Sequence, residues 1–136
     1  MNYFSENIEK LTKENTDYRR VIFTSDYSQL VLMSIPVGED IDFEIHPYVD
    51  QFFRFESGEG EIYLGKNKEV KFSVKDGSGV IIPHNTYHYV KNVGKIPLKL
   101  YTIYSPPSHG KDHVEHVKVP EENKYKKMLL KLLNHL

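Results

Sequence analysis

The stretch Glu44–Phe53, EIHPYVDQFF, decides how the chain is read. Glu44, His46, Asp50 and Gln51 bring donor atoms to either side of Pro47, and large apolar side chains follow at once. Alternate side chains of a strand share a face, so Asp42, Glu44 and His46 fall on one side of Ile41–His46 and Ile41, Phe43 and Ile45 on the other. Pro47–Asp50 reads as the turn, and in the returning strand Gln51, Phe53 and Phe55 lie opposite Phe52, Arg54 and Glu56. A barrel with a polar interior would point Glu44, His46 and Gln51 inward, with Phe53 and Phe55 lining the pocket and keeping it dry. The Ile41/Phe43/Ile45 face then needs cover from a second sheet or another subunit, which favours an oligomer.

Outward from this stretch, residues 21–105 carry short runs of Val, Ile, Phe and Tyr separated by Gly, Asn, Asp and Pro. Strands are expected near 21–24, 29–35, 41–46, 51–56, 60–64, 69–74, 79–82, 87–92 and 97–104, the spacing of a mainly β sandwich or barrel. Residues 1–20 read as a polar N-terminal arm with room for a short helix, and 106–119 as a histidine-bearing loop or lid. Residues 120–136 read as a C-terminal α-helix: Pro120 suits a first turn, Glu121 and Glu122 the positive end, and Tyr125, Leu129, Leu132 and Leu136 recur on one face. That face is expected to dock on the barrel or on a second subunit. With 136 residues the chain makes one domain. A net charge of −1 supplies no field for nucleic acid or an anionic membrane, and the absence of cysteine removes disulfides and thiolate sites. Neither a basic-then-apolar start nor a membrane-length apolar segment is present, so a cytoplasmic protein is expected.

Two spaced strings carry the chemistry. Gly38, Glu44, His46, Gln51 and Gly58 form the first, and Gly77, Pro83, Asn85, His88 and Asn92 the second. Together they resemble the paired motifs of the cupin superfamily, G-x5-H-x-H-x3,4-E-x6-G and G-x5-P-x-G-x2-H-x3-N, over residues 29–104. The wider text is similar to small single-domain cupins loosely related to mannose-6-phosphate isomerase. The resemblance implies a double-stranded β-helix, or jelly roll. Position by position it makes Glu44, His46, Gln51 and His88 the ligands of a divalent transition metal: Zn, Mn, Fe, Ni or Co. Glu44 stands where the motif has histidine, Gln51 where it has glutamate, and Asn85 where it has glycine. Each ligand swap keeps an oxygen or nitrogen donor, and two imidazoles with one carboxylate suit a facial metal site. Asp50 rivals Gln51, since the motif permits the shorter spacing.

Such a set permits a sugar-type isomerase or epimerase with the metal as Lewis acid, and equally an oxygen-dependent enzyme with iron. A non-catalytic module that binds a small ligand or metal is the alternative. The expected partner is a small molecule, with no nucleic acid and no membrane, in a homodimer. No arginine or lysine clamp for phosphate is evident inside the barrel, because Arg54 falls opposite Gln51. His109, His113 and His116 could be spaced for a second metal site but read as a solvated loop; His84 and His135 are assigned no role.

Overall fold

A computed structural model describes residues 3–118 and Leu132. The C-terminal helix expected over 120–136, its docking face and His135 lie outside the described residues, Leu132 excepted. Among the described residues ten strands form two antiparallel sheets that face each other as a jelly roll. They are β1 (Arg19–Thr24), β2 (Gln29–Ile35), β3 (Asp40–Glu44), β4 (Asp50–Ser57), β5 (Glu59–Leu64), β6 (Val70–Lys75), β7 (Gly79–Ile82), β8 (His88–Asn92), β9 (Leu98–Ser105) and β10 (Val114–Glu115). The six-stranded sheet runs β10-β1-β2-β9-β4-β7 and the four-stranded sheet β3-β8-β5-β6. Between them Val31, Met33, Phe53, Phe55, Ile62, Val90, Leu98 and Leu100 form a continuous apolar core. Full burial of each such side chain contributes about 1.5–3 kcal/mol.

The N-terminal arm holds a short helix, α1 (Ile8–Glu14), packed outside β2, β4 and β9. Asn7 starts it by accepting from the Lys10 N–H at 3.1 Å, and the Lys99 ammonium takes the free carbonyls of Lys13 and Asn15 at its end.

The motif glycines and asparagines have backbone duties. Gly58 has φ +90°, and a β-carbon there would meet the Pro97 carbonyl oxygen at 2.7 Å. Asn85, where the family motif has glycine, also adopts a positive φ of 62°, a conformation asparagine tolerates better than most side chains. Its N–H donates to the His46 carbonyl at 2.7 Å, tying the β7–β8 turn to the segment after β3. Asn92 is buried, donates to the carbonyls of Ile35 and Ile96, and accepts from Gly94, so it locks the end of β8.

Simple alternation fails in β3. Ile41 pairs with Val90 but Glu44 pairs with His88, so three steps on β3 match two on β8. This bulge brings Ile41 and Glu44 to the same interior face, although their spacing is odd. The expected grouping of Asp42 with Glu44 and His46, and of Ile41 with Phe43 and Ile45, is therefore corrected. Ile41 joins the core, Asp42 pairs with Lys118, and Phe43 lies outside, stacked on Tyr87 at 5.1 Å. The oligomer argument that rested on a uniform greasy face loses its basis.

Candidate metal centre

The strand registers place two rows of side chains opposite each other. On the large sheet Thr24, Gln29, Tyr104, Gln51 and Ile82 follow one another across β1, β2, β9, β4 and β7. On the small sheet Glu44, His88, Leu64 and Val70 follow across β3, β8, β5 and β6. His46 comes from just beyond β3, where the Asn85 N–H holds its carbonyl.

Glu44, His46 and His88 converge. One donor atom from each lies within 4.8 Å of the other two, and this is the one such trio of acidic, histidine or cysteine side chains among the described residues. Glu44 Oε1 is 3.5 Å from His46 Nε2 and 3.7 Å from His88 Nε2, too far to satisfy either ring nitrogen. Burial alone would raise the Glu44 carboxyl, but the two imidazoles outweigh it and hold the group well below the usual carboxylate range. His88 Nδ1 faces the Thr86 carbonyl at 3.0 Å, which leaves Nε2 for the interior. Gln51 arrives from the facing sheet. Its amide nitrogen donates to Thr102 Oγ1 at 3.0 Å. Among the described residues His46 Nε2, His88 Nε2 and Gln51 Oε1 are buried without a hydrogen-bond partner. Such atoms are rare in folded proteins and costly unless something else binds them.

Phe53 borders this group, its ring edge-on to His88 at 6.3 Å. Phe55 stacks on Phe53 one row deeper and belongs to the core. Asp50 is exposed and accepts from the His84 N–H at 2.8 Å, whereas Gln51 is buried on the inner face of β4. Arg54 lies outside the barrel against Glu56, as alternation predicts.

Sequence reasoning missed a polar network beside the donors. Tyr104 is only 1% exposed, edge-on to His46 at 5.9 Å, with its hydroxyl 3.2 Å from His109 Nε2. Burial pushes the Tyr104 hydroxyl up, so it stays neutral. Burial first, then the Arg19 guanidinium and His113, push His109 down to about 4. Gln29 accepts from the Ser108 and His109 N–H groups and donates to the His109 carbonyl. Arg19, placed in the arm by sequence, is the first residue of β1; it points inward and pairs with Glu115 at 2.8 Å. Tyr104, alternating with Leu100 and Thr102 on the inner face of β9, was readable from sequence; the partners of Arg19 and His109 were not. His109 and His113 stack at 5.4 Å, but His116 stands apart and the three do not form one donor cluster. His113 bonds Glu115 at 2.7 Å, and His116 bonds Asp17 at 2.6 Å.

The family model described as "Cupin domain" matches residues 31–104, more than half of the chain. The chain belongs to the cupin family. It is 46% identical over 109 residues to "Uncharacterized protein YrkC" of Bacillus subtilis (strain 168), covering 78% of this chain and 59% of that protein. It is also 46% identical over 110 residues to "Uncharacterized protein L612" of Acanthamoeba polyphaga mimivirus, covering 80% and 69%. The match thus spans about three fifths of the length of YrkC. The crystal structure of BH2720 from Bacillus halodurans superposes with a TM-score of 0.82 at 46% identity, covering 83% of this chain and 88% of that one. The chain is thus a cupin jelly roll whose Glu44, His46 and His88 lie close enough together that they could hold a metal.

Proposed function

We propose that this cupin binds one divalent transition metal through Glu44, His46, Gln51 and His88 and acts there on a small molecule. The observation that carries the reading is the pair of buried, unpartnered imidazole nitrogens of His46 and His88 gathered around the Glu44 carboxylate, with the unpartnered Gln51 Oε1 buried on the facing sheet. Two imidazoles, one carboxylate and one amide oxygen suit Zn, Mn, Fe, Ni or Co, and they leave room for a further ligand. A bound metal supplies Lewis acidity toward a carbonyl, or with iron a redox centre for oxygen. The chain's own contribution is to fix the imidazoles, exclude water with Phe53 and hold Tyr104 protonated beside them. A sugar-type isomerase or epimerase and an oxygen-dependent enzyme both fit this set. We further propose that the protein is cytoplasmic and homodimeric, the dimer resting on surfaces other than the Ile41/Phe43/Ile45 face; among the described residues no helix is long and apolar enough to cross a membrane.

A non-catalytic metal or ligand module is the second reading. It is favoured by the weak basicity of His109, which burial holds at about 4, and by a Tyr104 hydroxyl that keeps its proton, so neither neighbour is matched to proton abstraction near neutral pH. Elemental mass spectrometry of protein purified without added metal tests the centre. Near-stoichiometric metal that disappears in His88→Ala supports it, and trace metal unchanged by that substitution overturns it. Oxygen uptake against enols and catechols, beside isomerisation of aldoses, then separates the chemistries. Tight metal with no turnover across both panels supports the module. Light scattering at micromolar concentration decides the dimer.

A further inference from the structure

The row that carries Glu44 and His88 does not end at the donors. Leu64 stands directly opposite His88 and Val70 directly opposite Leu64, all on the inner face of the small sheet. On the facing sheet Ile82 stands beside Gln51, and Val80 beside Phe53, the ring that touches His88. The candidate centre therefore has two unlike flanks. Toward β1 lie Gln29, Tyr104 and His109; toward β6 and β7 every inward side chain in these rows is apolar.

That apolar flank is open. β6 and β7 are the edge strands of their respective sheets and do not pair with each other. The chain crosses between the sheets at Asp76–Ser78, where Gly77 and Ser78 bond to Phe55 backbone instead. The gap is a cleft of about 460 Å³ whose lining includes Leu64, Phe72, Val74, Val80 and Ile81, with no charged side chain. Val70 and Phe72, although on the inner face of their sheet, remain 46% and 41% exposed. Apolar side chains turned inward and still wet mark a place where something apolar binds.

We propose that this cleft is the specificity subsite of the candidate centre, and that its occupant is the apolar portion of a small chelating molecule whose oxygen-bearing head reaches the metal. The inference rests on the metal reading above and narrows it: the molecule carries a ring or short alkyl tail, and is neither a phosphosugar nor a free polyol. Continuity decides the occupant. Leu64 and Val80 line the cleft and are the register neighbours of His88 and Phe53, so the cleft lies one residue across the strands from the donor set. A volume of about 460 Å³ is within the range of small-molecule pockets.

The test uses the full chain loaded with cobalt(II) and a series of alkyl hydroxamates from acetohydroxamate to octanohydroxamate, titrated by calorimetry. Affinity is expected to rise about fourfold per added methylene until the cleft is filled. Phe72→Lys, and Ile81→Lys at the exposed rim, should flatten that rise while leaving acetohydroxamate affinity within twofold. Ile81 is 70% exposed, so its variant does not depend on a refolded core. A flat series in the unsubstituted protein, with acetohydroxamate still bound, overturns the cleft and spares the metal. If cobalt does not bind, the metal reading fails, and the cleft is judged separately from heptanamide titrated into metal-free protein. Methyl shifts confined to Leu64, Val70 and Val80 uphold it, and none overturns it. A dimer in which Phe72 and Ile81 are protected from exchange by a second copy also overturns it.

Discussion

The two flanks of the jelly roll solve the same problem in opposite ways. Unpaired strand edges expose hydrogen-bonding groups and inner-face side chains, and a stable fold covers or blunts them. On the β1/β3 side the chain covers its own edge. Residues 106–118 run back along β1, with Tyr18 and Val21 N–H groups donating to His116 and His113 carbonyls, and Lys118 reaches Asp40 and Asp42 of β3. The β6/β7 side has no such strap among the described residues. Its outward face carries Lys71 and Lys75, and its inner face is apolar and open. One flank spends polar contacts to seal the site; the other is left for a ligand.

On this contrast, the largest loss of stability comes from breaking the sealed flank at its buried ion pair. Glu115→Gln leaves the inward Arg19 guanidinium without its carboxylate, and removal of one partner from a buried pair costs about 3–5 kcal/mol. Chemical denaturation should show a lower midpoint with an unchanged slope. A cost below about 1 kcal/mol would mean that water reaches Arg19 and that the flank is not sealed. Gln29→Ala should follow at about 1–3 kcal/mol, because it strips one acceptor from two backbone donors and one donor from the His109 carbonyl. Amide exchange at Ser108 and His109 should accelerate before exchange in β2 does.

The same contrast explains what the sequence could tell. Strand positions and the inward run of Gln51, Phe53 and Phe55 follow from short-range alternation, while the donors Glu44, His46 and His88 follow from motif spacing alone, and the structure brings those three donors together. The bulge in β3 was not legible, because an extra residue in a strand leaves no pattern that separates it from a regular one. The strap was not legible either. Its hydrogen bonds join residues about 80 to 100 positions apart, and SHGKDHVEHVK has the composition of a solvated loop until Gln29, Arg19 and Asp17 are placed beside it. The cleft escaped notice because strand alternation gives a side chain's face and not whether the neighbouring edge is paired.

Acid should loosen the sealed flank selectively. The folded state holds His109 at about 4, against an ordinary 6.5 in the unfolded chain. Between those values the unfolded chain carries a proton that the folded one does not, so stability falls as pH falls. The contribution is fully present above about 6.5, is lost at up to roughly 1.4 kcal/mol per pH unit on the way down, and levels off below about 4. His109→Gln should remove this component, read as the difference between two curves of denaturation midpoint against pH. Parallel curves between pH 7 and pH 4 would mean that His109 is as wet as a surface histidine.

The smallest effect belongs to the open flank. Ile81 points away from the core and is 70% exposed, so Ile81→Ser should alter the stability of the free protein by less than about 0.5 kcal/mol. The same substitution separates an open cleft from a covered one. If a second copy sits on β6 and β7, Ile81 is buried in the assembly, and its loss costs more than about 1.5 kcal/mol, by an amount that grows with protein concentration. Thermal unfolding at two concentrations a hundredfold apart reads both numbers. A small cost at both concentrations keeps the flank open to a ligand. A large, concentration-dependent cost makes each copy the other's strap, and the two flanks would then differ only in which chain provides the cover.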